Sequence, residues 1–182
     1  MENYSTPDLR SSRLAYTRAR MEDAAAMFHG WGGNPNVARY MMFNAMSLEE
    51  CEKHIADAMK AYETGSNQDH WIIRKDGEAI GEIILTTFPN HNGASVAYLL
   101  AEEHWGKGYM TEALKEIIRF GFEERGLNRI WAAHFRENAA SGRVMEKAGM
   151  IFEGIEREKY IKDGSYYDAA CYAILRRDFM EK

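Results

Sequence analysis

Cysteine, proline and long apolar runs are all scarce in this chain, and each shortage removes a class of protein. Two cysteines among 182 residues, Cys51 and Cys171, provide neither a disulfide framework nor a CxxC metal knuckle. The six histidines are dispersed and no HExxH pair occurs, so no metal is expected. No apolar stretch approaches the ~18 residues of a membrane span. The opening residues Met1-Glu2-Asn3-Tyr4-Ser5 lack a cationic, apolar leader, so a cytoplasmic protein with no membrane partner is expected. Basic residues are outnumbered: 23 Lys+Arg against 28 Asp+Glu leave a net charge of −5, which disfavours nucleic acid unless the cations gather on one face. Only three prolines interrupt the chain, and neither repeats nor low-complexity stretches occur.

What is present is ordinary globular usage, 46% apolar and 28% charged. The length suits one domain over residues 1–182 with a sizeable core. Residues 9–20 alternate weakly (Leu14, Tyr16) and read as an edge strand. Short helices are expected over 22–29 and, after the break at Gly30-Trp31-Gly32-Gly33, over 35–42. Ser47-Leu48-Glu49-Glu50 has capping-box spacing and opens a helix to about Tyr62, with Cys51, Ile55, Ala58, Met59 and Tyr62 on one stripe. Period 2 then takes over. Residues 70–74 and 79–88 read as strands joined at Asp76-Gly77, and Asn92-Gly93 marks a second hairpin turn before a strand over 94–101. Met110, Ala113, Leu114, Ile117, Ile118 and Gly121 fall on one face of a helix over 109–125. A strand over 129–135, a helix over 138–148 that Asn138 caps, and a hairpin of 150–160 with 166–175 complete the chain. The order implies an α/β, or mixed α+β, fold: a mostly antiparallel sheet of about seven strands flanked by helices.

Two segments carry chemistry. Trp105-Gly106-Lys107-Gly108-Tyr109-Met110-Thr111 joins a strand to the long helix. Its glycines let the backbone turn several amides toward one point at a helix N-terminus, a geometry suited to phosphate, although a plain surface turn has the same pattern. It is neither a Walker A loop nor a Rossmann GxGxxG. In the second segment Asn138 and Ser141 lie near the start of one helix, either as local caps or aimed at a ligand.

Taken together, these motifs resemble the GNAT superfamily of acyl-CoA-dependent N-acetyltransferases, and within it the RimJ/RimL-like group of protein N-terminal acetyltransferases. Arg13-Leu14-Ala15-Tyr16-Thr17-Arg18 is similar to the first strand, and Asn34-Pro35-Asn36-Val37-Ala38-Arg39-Tyr40-Met41 to the helical region after it. Ala97-Tyr98-Leu99-Leu100-Ala101 running into Glu102-Glu103-His104-Trp105-Gly106-Lys107-Gly108-Tyr109 resembles the acyl-CoA motif. Phe122-Glu123-Glu124-Arg125-Gly126-Leu127-Asn128-Arg129-Ile130, Glu137-Asn138-Ala139-Ala140-Ser141 and Gly164-Ser165-Tyr166-Tyr167-Asp168 follow in the order the family has. The resemblance implies acetyl-CoA in an opening between the fourth and fifth strands. Its pyrophosphate would lie on the amides of Gly106, Lys107, Gly108, Tyr109, Met110 and Thr111, and its pantetheine along Leu99, Leu100 and Ala101, with Asn138 and Ser141 near the arm and the sulfur. Trp105 stands where the superfamily usually has Gln or Arg, and Met110 where it has a small residue. Met145 replaces the tyrosine many relatives use as general acid, so that role does not transfer to this position.

An amine attacking a thioester needs a neutral amine, an oxyanion donor and a proton for the leaving thiolate. No acyl-enzyme is required, and Cys51 and Cys171 read as core residues. A backbone N–H near Leu100 is the simplest oxyanion donor, and Ser141 is the candidate proton donor, with a cap as its other reading. Glu82, Glu102, Glu103 and His134 are the candidate bases, although a water chain suffices because an α-amine titrates near 8. Residues 31–46, with Met41, Met42, Phe43 and Met46, either line an acceptor groove or belong to the core. The function expected is acetyl transfer to an amine, either a protein N-terminus such as that of a ribosomal protein or a small amine (polyamine, amino acid, antibiotic). A non-catalytic acyl-CoA-binding module is the alternative outside the enzyme class, and a homodimer is left open.

Overall fold

The computed structural model describes residues 6–181; the segment 1–5, read above for a leader, lies outside the described residues. Eight strands form one sheet in the order β1-β2-β3-β4-β5-β6-β8-β7. These are β1 (Leu9–Arg10), β2 (Ala15–Thr17), β3 (Gln68–Lys75), β4 (Glu78–Phe88), β5 (Gly93–Leu100), β6 (Arg129–Phe135), β7 (Ile151–Lys162) and β8 (Ser165–Leu175). The helices are α1 (Asp23–Met27), α2 (Pro35–Ala38), α3 (Leu48–Thr64), α4 (Tyr109–Glu123), α5 (Ala139–Lys147) and α6 (Arg176–Met180), with a π-helical turn at Phe28–Gly32 after α1. Every strand pair is antiparallel except β5 with β6. No helix among the described residues is long and apolar enough to cross a membrane.

The period-2 alternation of the central strands divides the core. Trp71 and Ile73 of β3, Ile83 and Leu85 of β4, and Val96 and Leu100 of β5 pack with α4 and α5 on one face. Ile72, Leu99 and Ala101 pack on the other with α1, the π-helical turn and the Cys51, Ile55 and Ala58 stripe of α3. The α3 capping box forms as its spacing predicts: Ser47 Oγ accepts from the Glu50 amide at 3.2 Å, and Glu50 Oε2 accepts from the Ser47 amide at 2.7 Å. The predicted stripe of α4 is buried. Its Gly121 sits so close to β6 that a Cβ there would come within 2.6 Å of Ile130 Cδ1.

Several expectations are corrected. Residues 9–20 form two short strands, not one, because Ser11 turns the chain: its amide donates to the Leu14 carbonyl, and its hydroxyl contacts Tyr16 and Glu112. That extra strand raises the count to eight. The helix expected over 35–42 ends at Ala38, since the carbonyls of Ala38, Met41 and Phe43 converge instead on the Lys162 ammonium at 2.5, 3.0 and 3.1 Å. The connection from β4 to β5 is not a two-residue turn but a 3₁₀ turn at Pro89–His91 followed by Asn92. The closing hairpin extends to Lys162 with two irregularities in register. A final short helix, α6, carries Phe179 onto Phe122, their ring centroids 5.3 Å apart.

Candidate active site

The only parallel pair among the described residues is short. β5 and β6 pair from Gly93 with Arg129 to Ser95 with Trp131, yet β5 runs on to Leu100 and β6 to Phe135. Beyond the third pair the two strands part, and the opening between them is the one expected between the fourth and fifth strands, renumbered by the N-terminal hairpin. On the β4 side the Ala101 amide donates to the Ile80 carbonyl at 2.9 Å. With Leu100 opposite Gly81 and Leu99 opposite Glu82, antiparallel alternation turns Leu99 and Ala101 toward β4, and Tyr98 and Leu100 toward the opening. The expected run Leu99-Leu100-Ala101 therefore presents one amide to the opening, that of Leu100. Tyr98, two residues earlier, presents a second.

Trp105 closes the strand end. Its indole N–H donates to the Leu100 carbonyl at 2.9 Å while the ring stays exposed. After it, Gly106 and Gly108 take φ of +72° and +79°, values that side chains with a Cβ rarely adopt. A Cβ on Gly106 would meet nothing within 4 Å, so the loop has open space beside it. Gly108 leads into α4, whose N-terminus receives no side-chain cap. The amides of Tyr109, Met110 and Thr111 are thus, by helix geometry, donors without an intrahelical acceptor. The Met110 side chain is buried in the core, so it brings its amide to this end and does not line a pocket there. Arg13 braces the loop from β1–β2, donating from Nη1 to the Lys107 carbonyl at 3.1 Å and from Nε to Glu112 at 2.6 Å; its guanidinium lies 4.7 Å from the Tyr109 ring centroid.

Across the opening, Asn138 caps α5 by accepting from the Ser141 amide at 3.3 Å, so the Ser141 hydroxyl is not the cap. That hydroxyl lies 2.8 Å from the Tyr98 phenol, which also donates to the Ser141 carbonyl at 3.3 Å. Burial pushes the Tyr98 phenol well above its ordinary range, so it remains a neutral donor. Sequence reasoning missed Tyr98, although strand alternation from Leu100 would have placed it on the same side.

Of the four candidate bases, Glu82 and Glu102 are held by other side chains, Glu103 faces solvent, and His134 keeps one ring nitrogen unpartnered. Glu82 is buried between two imidazoles, His54 Nε2 at 3.0 Å and His70 Nε2 at 2.8 Å. Burial alone would raise its carboxyl, but these two hydrogen bonds outweigh it and hold the group at about 2, where it is a poor base. The bond to Glu82 raises His54 in turn. Glu102 accepts from the amides of Asn36 and Asn34, which hold it below the usual range. Glu103 is exposed, 3.4 Å from His104. His134 has Nδ1 2.7 Å from the Phe135 carbonyl, which fixes the proton there, and its buried Nε2 has no partner in the structure. Of the cysteines, Cys51 is core as expected, whereas Cys171 is half-buried, 3.2 Å from Glu156. Burial raises both thiols, which disfavours nucleophilic use.

Residues 31–46 divide between their two readings. Trp31 is fully buried and Met46 packs in the second cluster, whereas Met42 is exposed and Met41 and Phe43 are half-exposed. The β7–β8 tip reaches this segment through Lys162 and through Asn44, which donates to Asp163 at 3.3 Å. The π-helical turn packs beside the end of β5, where a Cβ on Gly30 would lie 3.3 Å from Ala101 Cβ.

Comparison with known proteins agrees with this fold. A profile of the acetyltransferase (GNAT) domain matches residues 13–151. YoaA of Bacillus subtilis (strain 168), an uncharacterised N-acetyltransferase, is 30% identical over 172 residues, which is 93% of this chain and 97% of its own. A GNAT-family acetyltransferase structure from Bacillus anthracis superposes with a TM-score of 0.86 at 23% identity, covering 94% of this chain and 99% of that one. The structure of RimL, a ribosomal L7/L12 alpha-N-protein acetyltransferase in complex with coenzyme A, gives 0.84 at 20% identity, with 93% and 98% covered. At these identities the structural likeness concerns the fold.

Proposed function

The chain belongs to the GNAT family of acetyltransferases, as its RimJ/RimL-like motifs implied, and from that premise we propose that its acceptor is the N-terminal α-amine of a protein. Acetyl-CoA-dependent N-acetyl transfer comes with the family; the acceptor and the residue roles are the proposal. One observation carries these roles: β5 and β6 part beyond Ser95 and Trp131, and the uncapped N-terminus of α4 follows from the same strand end.

In this reading the amides of Gly108, Tyr109, Met110 and Thr111 take the pyrophosphate, where the helix dipole favours negative charge. The pantetheine arm lies along Tyr98 and Leu100. When the amine nitrogen attacks the thioester carbon, negative charge gathers on the carbonyl oxygen, and the Leu100 amide is the donor aimed there. The carbon–sulfur bond then breaks. Ser141 gives its proton to the departing thiolate while Tyr98 turns its one phenolic hydrogen from the Ser141 carbonyl to Ser141 Oγ, and the proton the amine loses returns to Ser141 through water. Among the described residues, the Glu82 and Glu102 carboxylates are taken up by His54, His70, Asn34 and Asn36. An α-amine, half neutral near pH 8, needs no carboxylate base. The exposed Met42 and the Glu102 carboxylate beside the strand end offer an apolar contact and a negative charge to the first residues of an acceptor.

The test is a panel of N-terminal peptides set beside polyamines, amino acids and aminoglycosides, with release of the free thiol as readout. The reading expects the highest kcat/KM on peptides. A small amine in first place would assign the enzyme to that substrate class. Acetyl-CoA binding without transfer to any amine would leave only a binding module.

A further inference from the structure

The second face of the sheet carries a side-chain cluster that acetyl transfer does not use. His54 on α3, His70 on β3 and Glu82 on β4 bring one donor atom each within 4.8 Å of one another. Both imidazoles direct Nε2 at the same oxygen, Glu82 Oε2, at 3.0 and 2.8 Å, and their rings meet at 71° with centroids 5.4 Å apart. The point on which they converge is the carboxylate oxygen itself, so an ion would enter among three donors that already lie within 4.8 Å of one another. Glu82 stands opposite Ile72 and His70 opposite Ile84, so the two strand residues are diagonal neighbours on one face.

We propose that His54, His70 and Glu82 bind a divalent first-row transition ion, with Zn²⁺ the best match, and so join α3 to the sheet. Two neutral imidazoles and a carboxylate are a donor set that zinc takes readily, and calcium and magnesium do not. Ligands at about 2.0–2.1 Å in a tetrahedron stand ~3.3 Å apart, so the observed 2.8 and 3.0 Å separations need to widen by only a few tenths of an ångström. The side chain of Glu82 is 2% exposed and that of His70 6%, which fixes their rotamers, whereas that of His54 is 31% exposed. That exposure provides a path for entry and leaves a side open for a water as further ligand. The fold brings the donors together from positions 28 and 12 residues apart, pairing His54 and His70 in turn with Glu82. That separation is why no short motif reveals the site.

The experiment is calorimetric titration of the tag-free full chain with Zn²⁺, alongside the visible spectrum of the Co²⁺-loaded protein. The expected result is one ion per chain, cobalt bands of nitrogen and oxygen ligation, and a rise in Tm of about 5–10 °C at 100 times Kd. His54→Ala, on a half-exposed helix face, is expected to keep the far-UV circular dichroism of the wild type and to lose at least ~10-fold in affinity. Absence of saturable uptake would overturn the proposal. So would equal affinity in His54→Ala, or a sulfur-to-cobalt charge-transfer band, which would move the ion to a cysteine.

Discussion

Ser141 and Tyr98 illustrate how a role becomes definite only when a neighbour is known. The motif made Ser141 visible, but it left the hydroxyl divided between capping a helix and serving a thiolate. Asn138 takes the cap, and Tyr98 takes one side of the hydroxyl. Replacing Ser141 by Ala should therefore lower kcat by roughly 10²-fold with little change in the acetyl-CoA KM, since proton donation acts in the transition state. A fall in Tm with turnover per folded molecule retained would contradict this. Tyr98→Phe removes one donor and keeps the ring, and about 10-fold in kcat is expected, the worth of one hydrogen bond at about 1.4 kcal/mol. Steady-state kinetics on the two variants and their double mutant would show whether the pair acts as a unit. Tyr98 was hidden because the strand end was read as backbone alone.

At the scale of elements, the start of α4 was the most legible part of the site, since glycines before a strong amphipathic stripe leave few alternatives. Its attachment to the N-terminal hairpin was not legible. Glu112 accepts from Ser11 Oγ at 2.7 Å and from the Arg13 amide and Nε at 2.7 and 2.6 Å, contacts that join residues about a hundred positions apart. Burial works against its charge, but those hydrogen bonds win and the carboxyl lies below its usual value. A lowered folded value means the stabilisation is complete above the unfolded value of about 4.3 and disappears as pH falls through the folded one. Glu112→Gln should thus cost about 1–2 kcal/mol at pH 7 and progressively less as pH falls below about 4.3, read as the gap in Tm between variant and wild type. Gly108→Val tests the other side of the same helix end. At φ +79° a branched side chain distorts the turn, and acetyl-CoA affinity should fall by as much as ~30-fold, the equivalent of about 2 kcal/mol of charge–dipole attraction. Unchanged affinity by calorimetry would place the phosphates elsewhere.

For the whole molecule, alternation and helical stripes were enough to order the strands and helices from β3 to β8, because the central strands pack between two helical layers while α3 and α4 bury one stripe each. The parts misjudged are those whose form depends on distant partners: the N-terminal hairpin shaped by Glu112, and the α2 region shaped by Lys162. The opening itself is a property of the sheet, arising where a parallel pair ends after three residues. A ligand that enters it should stabilise the native state globally. Saturation with acetyl-CoA at 100 times Kd should raise Tm by about 5–10 °C, whereas ATP and NAD, lacking pantetheine, should give less. Equal shifts from ATP would reduce the site to generic phosphate capture.

The Lys162 ammonium, held by three carbonyls from residues 38–43, also bears on the order in which the protein is made and folded. It links positions 124 residues apart, so loop closure delays it until the last hairpin has formed. A chain emerging from the ribosome would complete the loop before α4 well before it completes the segment around Met42. In refolding kinetics Lys162→Met should then leave the folding rate nearly untouched and quicken unfolding, the mark of a contact absent from the nucleus. The wall beside the opening is in that sense a late addition to a sheet that is already folded.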